Sequence, residues 1–173
     1  MFVRNESFQE FIRFYPVVTS IVVIHIVLHI WTRALPFLGG DLIFALGIGS
    51  NAHIAIGEYW RLVTPIFLHG SLMHMLFNSF SLVLFGPALE SMLGKFRFIV
   101  AYLSTGIIAN IATYFLEGIS YLHLGSSGAI YGLFGIYLYM VLVRKDLIDQ
   151  ASSQIVITIL VIGIIMTFTN PGI

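Results

Sequence analysis

The chain has 173 residues, of which 58% are hydrophobic and 9% charged, with eight basic and eight acidic side chains and no cysteine. An ordinary soluble domain carries about 25% charged residues, so this chain cannot cover a water-facing surface, and neither disorder nor nucleic-acid binding fits its apolar, charge-balanced composition. Without cysteine there is no disulfide framework, thiolate metal site or cysteine nucleophile.

The length is that of one domain, and the expected class is an all-α polytopic membrane protein, with a cytoplasmic N-terminal segment over 1–13 and a membrane domain over 14–173. Phe8, Phe11, Ile12 and Tyr15 have helical spacing, which predicts a helix on the inner membrane face. Spans are marked by stretches without charge, because a bilayer core needs about 20 apolar residues in helix. They are expected at Phe14–Thr32, Leu62–Leu89, Phe98–Leu116, Gly118–Val143 and Gln150–Ile173. The first is too long for the apolar core of a signal peptide, about 7–15 residues, and reads as a retained helix. Leu42–Gly57 is uncharged but interrupted by Gly47, Gly49 and Gly57, so it reads as a loop in the interface, with Tyr59 and Trp60 at headgroup level. Placing the N-terminus inside puts Arg4, Arg13, Lys95, Arg97, Arg144 and Lys145 in the cytoplasm and only Arg33 and Arg61 outside. The tail Asn170–Ile173 is then external, in a plasma-membrane-type topology.

Polar side chains inside a span mark candidate sites, and the second span is the richest, with His69, Ser71, His74, Asn78, Ser79 and Ser81. His74 and Asn78, four apart, share a helical face and can aim two N–H groups at one point, as an oxyanion hole requires. His69, five residues before His74, is about 140° round the helix and points elsewhere. The competing reading of this set is interhelical hydrogen bonding alone. The fourth span opens with Gly125-Ser126-Ser127-Gly128, followed by Tyr131, Gly132 and Gly135. Gly128 and Gly132 form a small-xxx-small face for a close helix neighbour. A serine between glycines at a helix start has an exposed hydroxyl and unpaired N–H groups beside it, which favour developing negative charge. His25 and His29 in the first span read as buried packing residues. His74, about 12–18 Å along its span at 1.5 Å per residue, and the serine fall in the outer half of the membrane.

These residues resemble the rhomboid family of intramembrane serine proteases. Trp60-Arg61 resembles the family's Trp-Arg pair in the first outer loop. His69, His74 and Asn78 resemble its second-helix pattern, and Glu90 with Gly94 resembles the close of that helix. Gly125-Ser126-Ser127-Gly128 resembles the G-x-S-G nucleophile motif, with Tyr131 one turn later. The resemblance runs from about Tyr59 to the end of the chain.

It implies a rhomboid-like helical bundle, with five transmembrane helices present of an expected six, and a serine at the top of a short fourth helix in a water-filled cavity. Ser127 would be the nucleophile; His74, Asn78 and the Ser127 N–H would hold the oxyanion. Tyr131 would pack on the base, Gly128 and Gly132 would admit the sixth helix, and Glu90, Trp60 and Arg61 would be structural. The family's base is a histidine on that sixth helix, whereas no histidine follows His123 here. The expectation is a piece of a longer active protein; a truncated inactive relative, or another histidine such as His123 as base, are the alternatives. The implied substrates are transmembrane segments of other membrane proteins in the lipid bilayer, with no cofactor and no metal. A non-catalytic scaffold that binds such segments is the rival function.

Overall fold

The computed structural model describes residues 1–2 and 5–169, and the expected tail at 170–173 lies outside them. Helix α1 (Phe8–Phe14) begins at a capping box, in which Ser7 and Glu10 satisfy each other's backbone N–H groups. Helix α2 (Pro16–Ala34) opens on a proline at its first position. The region expected as an interfacial loop contains two short helices, α3 (Gly40–Gly47) and α4 (Asn51–Ala55), separated by the two-residue strand β1 (Gly49–Ser50).

Two span starts differ from expectation. Residues 59–67 form two short 3-10 turns, and α5 (Leu72–Leu93) begins only after Ser71, whose hydroxyl accepts from the His74 N–H at 3.1 Å. A charge-free stretch cannot distinguish helix from uncharged turn. Here Pro65, Gly70 and the capping serine set the start. For the same reason α7 (Ser127–Leu142) starts nine residues after Gly118, and residues 118–126 hold the strand β2 (Leu122–His123). Between them, α6 (Lys95–Leu116) follows α5 after a single residue, Gly94. Helix α8 (Gln150–Thr169) ends the described chain.

Helices α2, α5 and α6 are long and apolar enough to cross a membrane, and α7 and α8 supply shorter apolar stretches. Exposed Phe77, Phe80, Ile108 and Phe115 cover their outer faces, a surface that suits lipid and not water. The core is built from α2, α5, α6 and α7 around Val18, Leu82, Leu89, Phe98, Tyr102 and Tyr137, all at most 1% exposed. Phe2 joins it, edge-on to Phe85 and Tyr137.

Gly128 and Gly132 face α6. A Cβ on Gly128 would sit 2.5 Å from the Ala109 Cβ, and one on Gly132 would overlap the Thr105 side chain. The small-residue face packs on the preceding helix, α6. β1 and β2 pair antiparallel, Gly49 opposite His123 and Ser50 opposite Leu122, clipping the α3–α4 region to the approach of α7.

Candidate active site

Ser127 is the first residue of α7 and is exposed, whereas the preceding Ser126 is fully buried. The chain enters this helix through Gly125, whose φ of 114° lies in the region that side chains avoid. Its N–H donates to the Pro65 carbonyl at 2.9 Å. A Cβ on Gly125 would lie 2.6 Å from both Cε1 and Nε2 of His74. The His74 imidazole is thus laid directly on the backbone two residues before Ser127. As a first-turn residue, Ser127 has an N–H with no acceptor inside the helix.

His74 is in the first turn of α5, not two or three turns down it, because the helix begins at Leu72. One turn on, Asn78 is buried and one of its amide N–H bonds donates to the His74 carbonyl at 3.0 Å. The expectation for His69 is corrected. It precedes α5, so no helical phase separates it from His74, and the two rings meet edge to face with centroids 5.1 Å apart. His69 is 1% exposed, and its Nε2 lies 3.5 Å from the Ser126 hydroxyl.

Tyr131 stands one turn after Ser127 on α7. Its hydroxyl fills the place a Cβ on Gly163 would take, so the ring rests on α8. Further out, Arg61 is buried and donates to Glu58 at 2.5 Å and to the carbonyls of Ala45 and Ile48 at 2.9 and 2.7 Å. Trp60 donates to the Leu46 carbonyl at 3.1 Å. The pair secures the turn after α4 to α3. Glu90 is buried at the far end of α5, where its carboxylate accepts from the N–H groups of Val17 and Val18 at 3.0 and 2.9 Å.

Sequence reasoning missed three residues around the site. His25 is fully buried and its ring meets that of His69 edge to face at 4.6 Å. Its nitrogens lie 3.4 Å from the Ser79 hydroxyl and 3.3 Å from the Tyr102 hydroxyl. Tyr102 and Ser126 complete the set. An ionisable group inside a span marks a candidate site by itself, and His25 carried that signal.

A rhomboid-domain family model matches residues 56–173. Over all 173 residues the chain is 51% identical to YdcA of Bacillus subtilis (strain 168), provisionally named a rhomboid protease, and spans 86% of it. The chain belongs to the rhomboid family. It is also similar to the rhomboid protease GluP of the same organism, 37% identical over 124 residues, 72% of this chain and 24% of GluP. To the chloroplastic RHOMBOID-like protein 9 of Arabidopsis thaliana it is 33% identical over 109 residues, 60% of this chain and 24% of that one.

This rhomboid is a multi-pass membrane protein whose candidate site gathers residues from four segments: α2, the turn before α5 with α5 itself, α6, and the start of α7. Among the described residues, no three histidines or acids are arranged to hold a metal ion. His123, in the β2 strand leading to Ser127, is half-buried with both ring nitrogens lacking a hydrogen-bond partner among the described residues. Burial holds its pKa below the usual histidine value.

Proposed function

We propose that this rhomboid is an intramembrane serine endopeptidase that cleaves transmembrane or juxtamembrane segments of other membrane proteins. The observation that supports this best is the exposed Ser127 at the first position of α7, with His74 packed on the Gly125 backbone just before it. In this reading Ser127 Oγ attacks the scissile carbonyl and forms a covalent acyl-enzyme, which water hydrolyses. The oxyanion takes the Ser127 N–H, a ring N–H of His74 and the second N–H of the Asn78 amide, each worth up to about 3–4 kcal/mol. The base is assigned by resemblance to a histidine on a sixth helix, a residue these 173 do not contain. Tyr131 packs against that ring, and no cofactor takes part. The N-terminus is cytoplasmic by the basic-residue count, in a plasma-membrane-type topology.

The test is cleavage of a transmembrane reporter by the full-length protein, with Ser127→Ala beside it. Loss of the cleaved product with normal membrane insertion is the expected result. Cleavage that survives the substitution overturns the nucleophile. A wild-type protein that binds the reporter without cleaving it would mean a scaffold instead.

A further inference from the structure

Three imidazoles stand in series between α2 and the backbone that leads to Ser127. His25 meets His69 edge to face, with ring centroids 4.6 Å apart and the planes inclined at 65°. His69 meets His74 in the same way, at 5.1 Å and 78°. His74 lies against Gly125, where a Cβ would come within 2.6 Å of its Cε1 and Nε2. The series starts from a fully buried side chain, although His25 belongs to a helix whose adjacent residues Ile24 and Ile26 are exposed.

The three rings are not held alike. His25 is fixed from two helices at once, its Nδ1 3.4 Å from the Ser79 hydroxyl of α5 and its Nε2 3.3 Å from the Tyr102 hydroxyl of α6. His69 has a long polar contact, 3.5 Å from Nε2 to the Ser126 hydroxyl, and its Nδ1 has no hydrogen-bond partner among the described residues. The His74 ring is held by the His69 ring and the Gly125 backbone. A ring with weak polar anchors takes its angle from the walls it leans on, because close-packed interiors transmit displacement from one side chain to the next. Edge-to-face contacts are directional as well, since the positive edge of one ring seeks the negative face of another. Restraint therefore passes from His25, the best anchored of the three, through His69 to His74.

We infer that His25 is a positioning residue for the oxyanion site: it sets the angle of the His69 ring, and through that ring the angle of His74 beside Ser127. The link to catalysis rests on the peptidase reading above; the series of ring contacts does not. A histidine that only ties α2 to α5 and α6 by hydrogen bonds is the competing account. The two accounts differ on which part of His25 matters to the site, its ring or its nitrogens.

The experiment compares His25→Leu with His25→Phe in the full-length protein. Cleavage of a transmembrane reporter is measured beside nitrogen–carbon NMR of the His74 ring in bilayers. Both variants lose the contacts to Ser79 and Tyr102, but only phenylalanine keeps a ring against His69. His25→Leu is expected to move the His74 ring signals, although His69 stands between the two, and to lower kcat by up to about 100-fold with little change in KM. His25→Phe is expected to return those signals toward their original positions and to restore most of the lost kcat. In a His74→Ala background His25→Leu should lower kcat no further, because residues that act as a unit are not additive. Equal losses in the two variants, an unchanged kcat in His25→Leu, or full additivity with His74→Ala overturns the positioning role. If His25→Leu does not insert, His25→Met, which fills the same space without a ring, takes its place in every comparison. Absent cleavage by the unsubstituted protein refutes the peptidase reading alone, and the His74 signals then decide the ring series by themselves: no movement in His25→Leu overturns it.

Discussion

Removing the Glu90 carboxylate strikes the start of a helix 72 residues away in sequence. The first-turn N–H groups of α2 account for themselves completely. Pro16 has none, Thr19 donates to the Tyr15 carbonyl at 3.0 Å, and Val17 and Val18 both donate to Glu90. A hydrogen bond to a charged group contributes about 1.5–3 kcal/mol, and a buried N–H left bare costs about 1–3. Val18 is fully buried and bears that cost in full, while Val17 is half-buried and can recruit water. Glu90→Ala is therefore expected to destabilise the protein by about 2–4 kcal/mol. Glu90→Gln keeps one acceptor oxygen, turns an amide N–H₂ toward the other donor and should lose about half as much. The assay is reversible unfolding of the detergent-solubilised protein by denaturant titration, followed by circular dichroism. An Ala variant within about 0.5 kcal/mol of the parent, the range of an ordinary surface change, would refute this account of how α2 begins.

Gly132→Ala places a methyl group on the Thr105 side chain at the α6–α7 contact; the expected loss is about 1–3 kcal/mol, read in the same titration. His74→Ala is expected to slow turnover of a transmembrane reporter by about 10²–10³-fold with Ser127 still acylated by a fluorophosphonate; an unchanged rate removes His74 from the oxyanion site. His123 has a lowered pKa in the fold, so the unfolded chain binds its proton more readily, and stability present above about pH 6.5 falls as the pH drops from there toward the folded value. Amide hydrogen exchange at Asn51, whose N–H donates to the Tyr121 carbonyl at 3.2 Å beside the β1–β2 clip, should accordingly speed up below pH 6.5, after correction for intrinsic rates, and His123→Leu should abolish that dependence.

Much of the bundle was legible because lipid forbids charge: each expected span corresponds to one of the helices α2, α5, α6, α7 and α8. The ends were not, because turns such as residues 62–71 and 118–126 carry no charge either. That error propagated to His69, whose expected direction assumed a helix that begins only at Leu72. His74 and Asn78 both lie inside α5, one turn apart, where the four-residue spacing puts them on one face. The spacing of Gly128 and Gly132 announces a close neighbour but not which helix supplies it. The partners of His25 come from Ser79 and Tyr102, 54 and 77 residues away, and only the three-dimensional fold connects them.

The length of α7 has a consequence for the membrane itself. Its 16 residues span about 24 Å, whereas the 22 residues of α5 or α6 span about 33 Å. A hydrocarbon core is about 30 Å thick, so α7 alone falls short by some 6 Å, and the short loop from Leu124 to Ser126, half-buried to buried, is long enough to cover the difference. A bilayer matched to the longer helices surrounds that loop, and each added ångström of lipid increases the mismatch at α7 by a fraction of a kcal/mol. Bilayer thickness is thereby a physical variable acting on the depth of Ser127, and lipids of different chain length would change how far water must travel to reach it.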